Sequence, residues 1–295
     1  FFRQVTFVKT DSGYQDSKGK TVVSVDGHPD LDALFKRSIS KEGYLVYYPV
    51  LLKEAKFDGT EWDKHVCDEQ LTVHYADGST DVLTADTWSQ YYKDLPKGQN
   101  TDLRQTDGIP VLQFNHFDPS FLKETNDAAA QISNAEISML DLRSNVGGYE
   151  EVAHQWFNRY SHQRVFGTGV RYSVLPASLV ASPSTSKTPR ASNDNILILL
   201  SGKCSASCAE ITLDLSYNLD NSLIIGENTN GSMISNSGHI ELPSSKCSVD
   251  MTFSTVYLTP DGSDYFEELR GFFPDIWVPA KEAETLAAKL MENLK

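Results

Sequence analysis

The chain has 295 residues, long enough for one large domain or two ordinary ones with a sizeable core. Its hydrophobic fraction of 40% and charged fraction of 22% are ordinary for a soluble globular protein. A formal net charge of −14 gives a surface that repels phosphate backbones and anionic lipid, which argues against nucleic-acid and membrane-surface roles.

No apolar run approaches the roughly 18 residues that span a bilayer. The longest, Ile196 to Leu200, is of strand length. There is no initiator Met, and the chain opens on the strand-like FFRQVTFV, so residues preceding Phe1 are expected in the natural protein. Cys67, Cys204, Cys208 and Cys247 form no CxxC pair, which argues against a zinc knuckle. Buried thiols are the default reading, with one disulfide allowed in a secreted protein. Neither HExxH, EF-hand spacing nor GxxxxGK[ST] occurs, so no metal or other cofactor is expected.

Residues 1 to about 105 read as β-rich. Lys20 to Asp26 predicts a strand, Pro29 to Ser38 a short helix, and Gly43 to Leu52 another strand. Leu71, Val73 and Tyr75 alternate with polar residues, and Ala76-Asp77-Gly78-Ser79 followed by Asp81-Val82-Leu83 completes a hairpin signal. Residues 94–107 are polar and turn-rich and predict a linker. Beyond them strands alternate with helices: Ile109 to Phe114, Phe121 to Ile132, Ile137 to Leu142, Tyr149 to Tyr160, Ile196 to Leu200, Ala206 to Leu219 and Ser222 to Gly226. That alternation predicts an α/β sheet buried on both faces. Residues 182–194 read as a polar, mobile loop. The end returns to strands at Ile240 to Leu242 and Val249 to Leu258, and Lys281 to Leu294 closes the chain as an amphipathic helix.

Two strand-to-helix junctions carry chemistry. In the first, the strand ISMLDL runs into Arg143-Ser144-Asn145-Val146-Gly147-Gly148, where paired glycines expose backbone N–H groups suited to an anion or oxyanion. An ordinary turn is the competing reading. In the second, ILILLS runs into Gly202-Lys203-Cys204-Ser205-Ala206-Ser207-Cys208-Ala209-Glu210, which can set a hydroxyl on a helix N-terminus. There the competing reading is a capping box between Ser207 and Glu210.

Together and in this order, the motifs resemble the tail-specific (C-terminal-processing) serine peptidase family. DLRSNVGG is similar to its DLRxNxGG signature, and CSASCAE to its SASAxE nucleophile segment, which, aligned on Glu210, puts the serine at Ser207 rather than Ser205. GENTNG (226–231) resembles GExTxG, and GFFPDIWV (271–278) resembles GIxPDIxV. Upstream, VVSVDGHPDLDALF resembles the PDZ-like strand, turn and helix often found before the peptidase core. The resemblance covers residues 108–280 with good motifs and 15–90 more loosely. One departure matters: where many members place a dyad lysine after GExTxG, this chain has Ser232, and no lysine lies between Lys203 and Lys246. The chain is therefore nearer the tricorn-like Ser-His branch. That branch implies a glutamate before GxxPD, matched by Glu268, with Glu267 as the fallback.

The resemblance implies peptide-bond hydrolysis through an acyl-enzyme on Ser207, with Glu268 orienting the base. The backbone N–H groups of Gly147, or alternatively Gly148, and of Cys208 would hold the oxyanion. None of His28, His65, His74, His116, His154, His162 and His239 lies in a recognisable motif. His116, after GIPVLQF, is the candidate base within the chain. The family's DGH-type segment instead leads to the expectation that the base precedes Phe1. The expected architecture is a β-rich PDZ-like module over 1–105 and an α/β peptidase core over 106–295, its buried central sheet flanked by helices. The expected partner is a polypeptide, in one reading held by its C-terminus, in an extracytoplasmic or secreted setting without membrane insertion. A catalytically inactive ligand- or peptide-binding protein on the same fold is the alternative, and a partner-binding scaffold a third.

Overall fold

The computed structural model describes residues 1–51, 69–86, 91–166, 170–173, 191–232, 235–241, 248–258, 266–267 and 270–295. The N-terminal part contains β1 (Phe7–Thr10), β2 (Gly13–Asp16), β3 (Val22–Val25), α1 (Leu31–Leu34), β4 (Phe35–Ile39), β5 (Leu45–Pro49), β6 (Gln70–Tyr75) and β7 (Thr80–Thr84). These strands form two antiparallel sheets, ordered β2-β1-β5-β4 and β3-β6-β7. Alternation along each strand turns Phe7, Tyr14, Val25, Phe35, Val73 and Leu83 into one shared core. Phe35 stacks on Tyr14 with ring centroids 4.4 Å apart and meets Phe7 edge-on.

The C-terminal part continues with β8 (Thr101–Thr106), β9 (Ile109–Phe114), α2 (Leu122–Ile132), β10 (Ile137–Asp141), α3 (Glu150–Ser161), β11 (Val170–Ser173), β12 (Ile196–Ser201), α4 (Cys208–Ser216), β13 (Ser222–Gly226), β14 (Ser235–Glu241), β15 (Ser248–Leu258), β16 (Phe266–Glu267), β17 (Gly271–Phe272), β18 (Ile276–Trp277) and α5 (Ala283–Asn293). Six strands make the central sheet in the order β18-β13-β12-β10-β9-β8, parallel except for the β8–β9 hairpin. The α/β alternation read from the sequence is thus the architecture found.

Because side chains alternate across a strand, each central strand supplies both faces. Leu112, Leu140, Leu197 and Leu199 face α2, α3 and α4, where they meet Ala129, Trp156 and Leu213. Val111, Met139, Ile198 and Ile225 face the other way, onto Leu286, Ala287 and Leu290 of α5 and Ile39 of β4. Each such aliphatic burial stabilises by about 1.5–3 kcal/mol before chain entropy is set against it. Ile39 therefore joins the N-terminal sheets to the core. Arg3 strengthens the join with paired hydrogen bonds to Glu282 at 2.8 and 2.9 Å and an ion pair with Asp86.

Two expectations are corrected. The helix expected over Pro29 to Ser38 is a single turn, α1, after which Phe35–Ile39 becomes β4; pairing Phe35 with Pro49 and Ile39 with Leu45 outweighs the local helical spacing. The linker expected over 94–107 contains β8, an edge strand of the core sheet. Its turn is Asp107-Gly108, both at positive φ (51° and 78°), the geometry of a tight two-residue hairpin. The mobile loop expected over 182–194 falls largely outside the described residues, which resume at 191.

Candidate active site

Both junctions open at the C-terminal edge of the central sheet, after β10 and β12, where open α/β sheets place their chemistry. Strand β12 ends at Ser201, and the chain makes a tight turn, with Ser205 N–H donating to Gly202 O at 2.9 Å, before α4 starts at Cys208. Ser207, the residue before the helix, sits at φ 54° and ψ −116°. That is left-handed backbone on a residue with a side chain, costing on the order of 1–3 kcal/mol and concentrated at functional turns. Ser207 is half-buried, whereas Ser205 is fully buried: its hydroxyl donates to Leu142 O at 2.8 Å and accepts from Gly202 N at 3.1 Å.

Glu210 holds this turn in place. Its buried carboxylate accepts four hydrogen bonds: from Ser207 N at 3.0 Å, Ser232 N at 3.0 Å, Gly231 N at 2.7 Å and the Thr229 hydroxyl at 2.6 Å. The first is the Glu210 half of the capping box anticipated with Ser207. The others tie the Ser207 turn to the segment 226–232. Thr229 in turn accepts from Phe272 N at 2.7 Å, so three of the sequence motifs meet on one carboxylate. Burial pushes the Glu210 carboxyl up, and the donors oppose it. Lys203 is also buried, and desolvation pulls its pKa down to about 8 against the pull of Glu227 and Glu210.

The turn after β10 is equally constrained. Asn145 is buried; its amide donates to Phe114 O at 2.7 Å, its side-chain oxygen accepts from Gly147 N at 2.8 Å, and its carbonyl accepts from Ala206 N at 3.0 Å. The last bond fastens the two junctions together. Gly147 lies at φ 106° against Ser207. Its carbonyl accepts from Phe117 N at 2.9 Å, and Tyr149 N donates to Phe117 O at 2.7 Å.

The two glycines are not equivalent. The Gly147 N–H is engaged by Asn145, and the residue is buried. Gly148 is exposed. Its N–H shares a planar trans peptide with the Gly147 carbonyl, which points at Phe117, so the N–H points away from Phe117. The Gly148 carbonyl accepts from the Cys208 thiol at 2.9 Å, which brings Gly148 beside the start of α4. Of the two glycines left open by the sequence, Gly147 has its N–H held by Asn145, and Gly148 has its carbonyl joined to Cys208.

Asp141 and Arg143, from the same motif, form a buried ion network instead of facing Ser207. Arg143 binds Asp141 through two nitrogens, at 2.8 and 2.7 Å, and also reaches Glu284 and Ala280 O. Arg104 contacts Asp141 and Glu284 from β8. Burial alone would raise the Asp141 carboxyl, but the two guanidiniums outweigh it and hold it below the usual range. Tyr91 covers Arg143, 3.8 Å from ring centre to guanidinium carbon. The network fixes the start of the glycine turn to α5.

The structure thus brings together Ser207, Cys208, Gly147 and Gly148. His116 is exposed next to Phe117, and among the described residues no imidazole is hydrogen-bonded to Ser207. Glu268 lies outside the described residues, and of its fallback Glu267 only the strand placement is described. Cys67 and Cys247 lie outside them as well, and Cys204 and Cys208 are not joined to each other. No cluster of three His, Cys, Asp or Glu side chains among the described residues is arranged around a metal. An open pocket of about 640 Å³ between β8 and α2, lined by residues such as Leu103, Phe121 and Glu124, includes none of the site residues. Sequence reasoning missed Asn145 and Thr229 as organisers, although both occupy fixed positions of the quoted motifs. It also missed Arg104 and Glu284, which carry no local signal.

No curated protein sequence matches the chain. Among solved structures, similarity extends to a photosystem II D1 C-terminal processing protease, at 15% identity over 95% of this chain and 74% of that one, with a TM-score of 0.45. It extends likewise to a candidate S41 protease from Bacteroides fragilis, at 11% identity over 99% and 82%, with a TM-score of 0.47. Mature CPAF complexed with lactacystin is similar at 14% identity over 99% and 83%, with a TM-score of 0.45. The family model for peptidase family S41 matches residues 108–278, more than half the chain and every motif around Ser207, and the chain belongs to that family.

Proposed function

We propose that this chain is a serine peptidase that cleaves polypeptides through an acyl-enzyme on Ser207. The observation that supports it best is the strained Ser207 backbone at the tip of a strand-to-helix turn, held by Glu210 and faced by a glycine turn. A structural serine does not require left-handed backbone, whereas an exposed nucleophile on a sharp elbow does. In this reading the Ser207 hydroxyl attacks the scissile carbonyl while a base takes its proton. The developing oxyanion accepts from the N–H groups of Cys208 and Gly148, with Gly147 permitting the close approach. Its collapse breaks the peptide C–N bond, the base handing its proton to the leaving amine, and the acyl-enzyme then yields to water.

The base in this reading is an imidazole, with Glu268 as its orienting carboxylate, because Ser232 stands where a dyad would need lysine. Ser232 N–H donates to Glu210, which suits a structural part for that residue. The N-terminal sheets would serve as a PDZ-like module, presenting an extended substrate by its C-terminus in an extracytoplasmic setting. Among the described residues no helix is long and apolar enough to cross a membrane.

Fluorophosphonate labelling tests the reading. The wild-type protein is expected to gain one covalent adduct, located by peptide mass on the segment containing Ser207, and Ser207→Ala to gain none. A folded wild-type protein that stays unlabelled and hydrolyses no polypeptide would instead favour the ligand- or peptide-binding alternative.

A further inference from the structure

We propose that the Cys208 thiol is a positioning residue that sets the spacing of the two oxyanion-binding N–H groups; the inference rests on the peptidase reading above. The thiol donates to the Gly148 carbonyl at 2.9 Å, from a side chain only 4% exposed. One proposed donor is the backbone N–H of Cys208 itself, and the other is that of Gly148. The thiol bond therefore connects the two donor-bearing residues directly, although they lie 60 positions apart in sequence.

Other bonds at this place act on other residues. Two of them, Phe117 N to Gly147 O and Tyr149 N to Phe117 O, fasten the glycine turn to the end of β9, not to α4. The Ala206 N to Asn145 O bond joins the two junctions, but two residues upstream of Cys208 and three upstream of Gly148. Gly148, at φ 136°, is held at its flanking peptides by Phe117, while its own carbonyl is engaged by the thiol. The thiol is what ties it to the helix that carries the second donor. In the SASAxE pattern this position is alanine, so the tether is a feature of this chain. Thiols are weak donors, but oxyanion donors must sit within a few tenths of an ångström of their productive place, so a small displacement is felt in rate.

The test is the saturation kinetics of fluorophosphonate labelling for wild type, Cys208→Ala and Cys208→Ser. This separates the maximal labelling rate from the probe concentration at half-saturation and needs no knowledge of the natural substrate. Cys208→Ala is expected to lower the maximal rate about tenfold with half-saturation unchanged, since the donors act mainly in the transition state. Cys208→Ser, whose hydroxyl can donate to the same carbonyl, is expected to recover most of that loss. Thermal midpoints report folding separately. If Cys208→Ala proves unfolded, the serine variant carries the test alone: near wild-type rate supports the tether, and a loss of tenfold or more with an intact fold overturns it. Equal maximal rates for alanine and wild type overturn it too, as do equal losses in folded alanine and serine variants. A wild type inert to the probe overturns the peptidase reading itself.

Discussion

A Cβ built on Gly147 would stand 2.7 Å from the Cβ of Ser207 and 3.1 Å from the backbone nitrogen of Cys208. Two segments separated by β11 and β12 in the chain thus touch where neither leaves room for a methyl group. Gly147→Ala would also force a side chain into backbone at φ 106°. The expected outcome is a loss of labelling rate of about a hundredfold or more, measured on protein shown to be folded. Destabilisation without any loss of rate would return Gly147 to the part of an ordinary turn.

Ser205 and Ser207 are two residues apart and separate cleanly by burial. Ser207→Ala is expected to abolish labelling while leaving the urea midpoint close to wild type. Ser205→Ala removes a donor to Leu142 O and an acceptor for Gly202 N, both buried, and should cost about 1–3 kcal/mol of stability while labelling persists. If the folded Ser205→Ala protein loses labelling and Ser207→Ala keeps it, the register of the nucleophile segment is wrong.

Most of the core was legible because its signals are local. Ile196 to Leu200 reads as a fully apolar strand because alternate residues serve opposite faces of the sheet, and both faces are covered. The choice of Ser207 over Ser205 came from the resemblance aligned on Glu210, and in the structure Ser207 N is bonded to the Glu210 carboxylate. What escaped the sequence was non-local. The helical spacing of Leu31, Leu34 and Phe35 is real but gives way to β4 because Phe35 and Ile39 find partners on β5. β8 looked like linker because an edge strand need not be apolar, although Asp107-Gly108 was a hairpin signal in plain view. That the Asn145 side chain takes up the Gly147 N–H is a contact no spacing encodes.

Glu210→Gln probes the buried carboxylate. Four donors converge on it, two on each oxygen, so an amide nitrogen must face two of them. On the Thr229 side the hydroxyl can turn and accept, leaving only the Gly231 N–H opposed, while the retained oxygen still accepts from Ser207 N. The variant is expected to lose about 1–3 kcal/mol in urea unfolding with less than a tenfold fall in labelling rate. Glu210→Ala, which removes both oxygens, should lose far more of both. Equal behaviour of the two variants would mean that the carboxylate does not hold the Ser207 backbone.

Lys203 makes stability depend on pH in a predictable sense. Burial favours its neutral amine in the fold, and although Glu227 and Glu210 pull the other way, its pKa falls from 10.5 to about 8. Between those values the unfolded chain holds a proton that the folded chain has released. Stability contributed by this group is therefore fully present above about 10.5 and is lost as pH falls towards 8. The interval corresponds to about 3 kcal/mol. Other groups titrate in the same range, among them tyrosines whose pKa is raised in the fold, so the difference between wild type and Lys203→Met is the quantity to follow. Urea unfolding at several pH values between 7.5 and 10.5 should show wild type gaining stability relative to Lys203→Met as pH rises. Parallel curves for the two proteins would mean that Lys203 keeps its proton in the fold, paired with Glu227 or Glu210 beneath the Ser207 turn.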